Sequence, residues 1–189
     1  MPLSGQPASL HRGATGHNRT MDELAEPGGA LMPPIPPDDA ERLAALWRTG
    51  LLDSPPAECF DRITRSVAAL LRVPMAAVSL VDRNRQWFLS RVGLPLAQTP
   101  RDIAFCSHAV AERRLLRVCD AQLDPRFARN PLVTGEPHVR AYLAVPLLDA
   151  AGHALGTLCV LDREPREFGT EEQQLLQRYG KALERLIRG

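Results

Sequence analysis

Met75-Ala76-Ala77-Val78-Ser79-Leu80-Val81-Asp82-Arg83-Asn84-Arg85-Gln86-Trp87-Phe88-Leu89-Ser90-Arg91-Val92 is the stretch that decides the fold. Met75–Val81 is an apolar run, short for a helix and the right length for a buried strand. Asp82-Arg83-Asn84 carries turn chemistry. Gln86–Val92 returns with Trp87 and Phe88, residue types that fit a pleated, half-buried surface. Successive side chains on a strand alternate faces, so Trp87 and Phe88 point to opposite sides of the sheet. The pattern recurs toward the C-terminus, where Arg140–Leu147 and Ala154–Leu161 flank a tight turn at Asp149–Gly152. Two hairpins in one chain predict a mostly antiparallel sheet.

Upstream of the first hairpin the period becomes helical. Asp38 and Glu41 have capping-box spacing, Leu43, Leu46 and Trp47 share a face, and Gly50 suits a stop. Ser54 with Pro55 predicts the start of a second helix, whose stripe is Phe60, Ile63, Val67, Leu70 and Leu71. Residues 1–37 are rich in Pro, Gly and small polar residues and are expected to be disordered. Met21 and Met32 are alternative starts to Met1.

Downstream, Gly93 and Pro95 open a loop to Pro100, and Asp102 is a candidate cap for a short helix holding Phe105, Cys106, Ala109 and Val110. Leu115–Cys119 reads as a third strand. The prolyl segment from Asp120 to His138 reads as a long irregular loop, a kind that is usually functional or disordered. Thr170 and Gln173 have capping-box spacing for a last helix lined by Leu175, Leu176, Tyr179, Ala182, Leu183, Leu186 and Ile187. The count is five strands.

Composition narrows the function classes. The 23 basic and 22 acidic residues nearly cancel, so no whole-molecule field favours nucleic acid or a membrane surface. No apolar run is long enough to span a bilayer. Cys59, Cys106, Cys119 and Cys159 form no Cys-x-x-Cys pair and follow no secretory signal, which predicts a reduced, cytoplasmic setting.

These pieces together resemble the GAF family, and within it the GAF domains that precede diguanylate cyclase, phosphodiesterase or histidine kinase modules in bacterial signalling proteins. The resemblance is carried by Gly50–Pro56, Phe60–Thr64, Val78–Asp82 with Gln86–Phe88, Arg101–Ala109, Asp124–Phe127, Tyr142–Leu147 and Leu155–Asp162. It implies one domain over residues 38–189 in the α+β class. The implied core is a central antiparallel sheet of five to six strands. The terminal helices lie on one face, and a ligand pocket lies on the other under the short helix and the irregular loop. It also implies homodimerisation through the terminal helices. The sequence ends at Gly189 directly after the last helix, so a stand-alone sensor is expected, relaying to a histidine kinase or a diguanylate cyclase/phosphodiesterase partner.

The family topology nominates Trp87, Cys106, His108, Asp120, Phe127, Tyr142 and Thr157 as pocket residues for an unidentified small molecule. Arg126 and Arg140 are candidate anion contacts, because arginine suits phosphate and carboxylate, with pairing to Asp124 or Glu136 as the alternative. Covalent bilin is disfavoured: Ser107 separates Cys106 from His108, where the bilin-binding pattern has them adjacent. Haem ligation by His108 or His138 has only the residue type behind it. No metal site is expected, since Cys106 and His108 lack further ligands at a recognised spacing. No catalytic residue is assigned. The rival reading is a thiol-dependent enzyme of the free methionine-(R)-sulfoxide reductase type, using Cys106 and Cys119 as neighbouring thiols. A ligand-free interaction scaffold is the other alternative.

Overall fold

The computed structural model describes residues 31–188, and the expected tail falls mostly outside them. In chain order the elements are α1 (Asp39–Arg48), α2 (Glu58–Leu71), β1 (Met75–Val81), β2 (Arg85–Val92), β3 (Gln98–Pro100), α3 (Phe105–Glu112), β4 (Leu116–Val118), α4 (Pro131–Thr134), β5 (Ala141–Leu148), β6 (Ala154–Asp162) and α5 (Thr170–Arg188). The six strands form one sheet in the order β3-β2-β1-β6-β5-β4, and every neighbouring pair is antiparallel. β1 and β6 lie at its centre, which is why both read as apolar almost throughout: each of their faces is covered.

The sheet separates two cores. On one side Leu46 of α1, Phe60 and Val67 of α2, and Leu176 and Leu183 of α5 pack on Val78, Leu80, Leu143 and Leu158. α2 lies beside α5, and α1 packs on β6. Gly180 lets α5 approach the sheet closely, since a Cβ there would stand 2.8 Å from Val145 Cγ2. Glu184 is buried on the same helix; its carboxylate accepts from the Leu148 backbone N–H at 3.1 Å and from Lys181 Nζ. On the opposite side α3 and the 120–139 segment pack on Ala77, Phe88, Tyr142 and Cys159.

Several local expectations are corrected. Asp38 makes no side-chain cap; its carboxylate pairs with Arg113. The second helix begins at Glu58, because Ser54 Oγ donates to Leu51 O and the two prolines after it precede extended backbone at Ala57. Asp53, at φ 57, reaches across and is clamped bidentately by Arg85 at 2.6 and 2.9 Å, bolting this joint to the sheet. Leu70 and Trp47 are largely exposed rather than core. Asp102 does not cap α3, whose N-cap is Ala104. β3 is a sixth strand, hidden in what reads as a loop.

Candidate ligand-binding site

The segment from Asp120 to His138 is built, not loose. Asn130 caps α4 by accepting from Leu132 N–H at 2.9 Å, while its amide nitrogen donates to Ile103 O at 2.8 Å. That one buried side chain ties α4 to the entry of α3. Phe127 is fully buried and stacks on Phe105 at 4.0 Å between ring centroids, and the His108 ring meets it edge-on at 4.9 Å. Val139 N–H donates to Leu132 O, turning the chain back toward β5.

Between this roof and the sheet lies a cavity of about 620 Å³, within the ordinary range for small-molecule sites. Phe88, Cys159 and Tyr142 rise from the strands; Phe105 and Cys106 come from α3; Leu132 comes from α4 and Val139 from the segment after it. Leu94, Pro95 and Leu96 close one side, and Glu136 and His138 stand at another. Among the described residues neither lysine nor arginine lines the cavity. Its best-placed polar group is Gln86. This side chain is 3% exposed; its amide nitrogen donates to Thr99 Oγ1 at 3.4 Å, and its carbonyl oxygen has no partner among the described residues. An orphaned buried acceptor is costly.

The inner wall carries the unusual chemistry. Cys106 Sγ lies 3.9 Å from Cys159 Sγ, and Tyr142 Oη donates to Cys106 Sγ at 3.0 Å. Ser79 Oγ and Thr157 Oγ1 are hydrogen-bonded at 3.0 Å on adjacent strands beneath them. Burial pushes the Cys106 thiol up, but donors from Cys159, Ser79, Thr157 and Tyr142 outweigh it and bring it to about 7. The bond to Cys106, with burial, raises Cys159 well above its ordinary value. Burial, reinforced by the neighbouring sulfurs, raises Tyr142 likewise, so it stays a neutral donor. Cys106 is thus the group of this set best able to become an anion.

The nominated residues divide cleanly. Cys106 and Tyr142 line the cavity. Trp87 does not: it packs on the helix-covered face, and Phe88 takes the pocket position. Thr157 lies behind the cysteines. Phe127 supports the roof through Phe105. His108 sits beyond that stack, where burial and then the Arg126 charge lower its pKa and favour the neutral ring. Asp120 is outside, gripped bidentately by Arg140 at 2.8 and 2.9 Å. Arg126 is held in the same way by Asp124 at 2.7 and 3.0 Å. Both arginines are committed to neighbouring carboxylates and neither lines the cavity, so neither is placed to hold an anion there. The sulfur facing Cys106 belongs to Cys159, not to Cys119, which follows β4 and is half-buried. Gln86 and Cys159 escape the sequence reading as pocket residues; Phe88 is its alternative to Trp87, since alternation along β2 lets only one of the two face the cavity. Among the described residues no group of three or more His, Cys, Asp or Glu side chains is placed to hold a metal ion, and no helix is long and apolar enough to cross a membrane.

Residues 55–187 match the family described as GAF domain. The chain belongs to the GAF domain family. Over 134 residues it is 44% identical to a cyclic di-GMP phosphodiesterase of Pseudomonas aeruginosa, a match covering 71% of this chain but 23% of that protein. This GAF domain also superposes on the GAF domain of an Acinetobacter phosphoenolpyruvate-protein phosphotransferase with a TM-score of 0.60 at 20% identity, covering 78% of this chain and 92% of the other. A type II free methionine-R-sulfoxide reductase of Thermoplasma acidophilum aligns with a TM-score of 0.57 at 13% identity, covering 67% and 88%. Both structural likenesses concern the fold.

Proposed function

We propose that this GAF domain is a sensor module of bacterial signal transduction that binds a small, largely apolar, uncharged molecule and relays its presence through α5. The observation that carries the reading is the cavity of about 620 Å³ with the orphaned Gln86 in its lining and, among the described residues, no lysine or arginine in its wall. A polyanion such as cyclic di-GMP fits that wall poorly, because buried phosphates need paired cations. The ligand class is instead an aromatic or alicyclic body with one hydrogen-bond donor for Gln86.

The route to the helices is one sheet thick. Tyr142 and Cys159 face the cavity, while Leu143, Val145 and Leu158 on the same strands face the helix-side core. A ligand that shifts β5 or β6 therefore changes the seat of α5. The domain is read as binding its ligand without turning it over. Its output partner is a phosphodiesterase, cyclase or histidine kinase module, a reading supported by the named activity of the P. aeruginosa relative. A cytoplasmic setting accords with four cysteines that form no disulfide. Exposed Trp47 and Leu186 on the terminal helices are the apolar groups available to a homodimer.

The test uses the neutral fluorophore N-phenyl-1-naphthylamine on the full chain. Saturable binding at one site per chain is expected, weakened by Leu132→Trp, which intrudes on the cavity, and not displaced by cyclic di-GMP. Hydrogen exchange along α5 should change on binding. Absent binding, or an affinity unchanged in Leu132→Trp, overturns the reading.

A further inference from the structure

The Cys106–Cys159 pair has a chemistry of its own, independent of which molecule the cavity holds. Two thiols meet at 3.9 Å on the wall of a cavity that a molecule the size of hydrogen peroxide can enter. Neither sulfur has another cysteine as close among the described residues, and no third ligand joins them to make a metal site. Tyr142 Oη points at Cys106 Sγ, so an anion on that sulfur has a donor already in place. Two thiols this close, one of them stabilised as an anion, are the arrangement that thiol oxidation to a disulfide requires.

We propose that Cys106 and Cys159 are a hydroperoxide-oxidisable dithiol, with Cys106 the attacking and Cys159 the resolving thiol. The Cys106 thiolate attacks one peroxide oxygen. The O–O bond breaks, the second oxygen leaves as water or an alcohol with the proton given up by Cys106, and a sulfenic acid forms on Cys106. The Cys159 sulfur then attacks the Cys106 sulfur. The S–S bond forms, the S–O bond breaks, and the hydroxyl leaves as water with the Cys159 proton. Two thiols and one hydroperoxide become one disulfide and two molecules of water, or one of water and one of alcohol; two electrons pass from sulfur to oxygen.

A disulfide needs the sulfurs at about 2.05 Å, so they must close by roughly 1.9 Å. Cys159 is held in a central strand paired on both sides. Cys106 lies in the first turn of α3, a short helix that ends at Arg113 in a left-handed turn. The closure therefore falls mainly on α3. It carries Phe105 and the cavity roof toward the sheet, so the oxidised form has a narrower pocket.

The experiment titrates the reduced full chain with one equivalent of hydrogen peroxide, quenches with N-ethylmaleimide under denaturing conditions, and maps the peptides. The expected result is a dithiothreitol-reversible Cys106–Cys159 cross-linked peptide, formed while Cys59 and Cys119 remain alkylated. In Cys159→Ser, a dimedone adduct on Cys106 is expected in place of the disulfide. Oxidation of Cys59 or Cys119 ahead of the pair overturns the proposal. So does a Cys106 that goes on to sulfinic acid without forming the disulfide. The wild-type peptide map decides even where the serine variant fails to fold. The naphthylamine binding measured on reduced protein separates this result from the ligand reading: the dithiol can fail while the probe binds, and the reverse.

Discussion

Arg42 is the residue whose replacement best tests how the helix layer is fastened to the sheet. Its side chain is wholly buried. Nη1 donates to Val81 O at 2.7 Å and to Ala154 O at 3.4 Å, linking α1 to the end of β1 and the start of β6, and Nε donates to Asp39 at 2.7 Å. Arg42→Met keeps the apolar stem and removes every donor. Asp39 is not stranded, because Arg101 still grips both its oxygens at 2.8 and 2.9 Å. What remains is the cost of two carbonyls losing a buried donor, about 1–3 kcal/mol each. Against it stands the relief of a guanidinium taken out of water, whose Nη2 finds no partner among the described residues. The net expectation is a loss of about 2–3 kcal/mol, or roughly 5–10 °C in Tm for a chain of this size. Urea unfolding followed by the fluorescence of Trp47 and Trp87 reads it directly, with an unchanged m-value. A midpoint equal to or above that of the wild type would refute the reasoning, showing that desolvation of the charge outweighs the tether.

Other consequences are as direct. Burial raises the Asp39 carboxyl, but the bonds from Arg101 and Arg42 outweigh it and hold its pKa below the ordinary 3.8. A depressed carboxylate lends stability that is present above the unfolded pKa and lost as pH falls through the folded one. Asp39→Asn is therefore expected to be less stable at pH 7 and to converge with the wild type in acid; parallel stability-versus-pH curves would contradict this. Phe127→Ala removes a fully buried ring stacked between Phe105 and His108, at an expected cost of about 3–5 kcal/mol in chemical denaturation. Gly180→Ala trades about 1 kcal/mol of helix propensity against a shift of Val145 and should be nearly neutral, whereas Gly180→Leu should lift α5 and lower the thermal midpoint clearly. Equal midpoints for the two variants would show that α5 is not seated where Gly180 puts it.

Fold class and most of the elements were legible in the order of the residues alone. Apolar runs at Met75–Val81 and Ala154–Leu161 could only be buried strands, and turn residues between paired runs fixed the hairpins. The stripes of α2 and α5 were legible because periodicity is local. Features that rest on distant partners were not. β3 is three residues long and exists only because β2 offers it an edge. Asp38 satisfies the capping-box spacing, yet Arg113, seventy-five positions away, takes its carboxylate. Alternation along β2 said that Trp87 and Phe88 face opposite ways, but the sign of that alternation is set by which face α2 and α5 cover. Pairing of Arg126 with Asp124, two positions away, was within reach of the sequence, whereas Asp120, the partner of Arg140, stands twenty positions away and was not anticipated. The four cysteines are spaced without pattern, and only the packing of α3 across β6 brings Cys106 to Cys159 while leaving Cys119 apart. Local chemistry writes strands, helices and turns into neighbouring residues; which side chains share a cavity depends on contacts between residues far apart in the chain, and no short-range pattern encodes them.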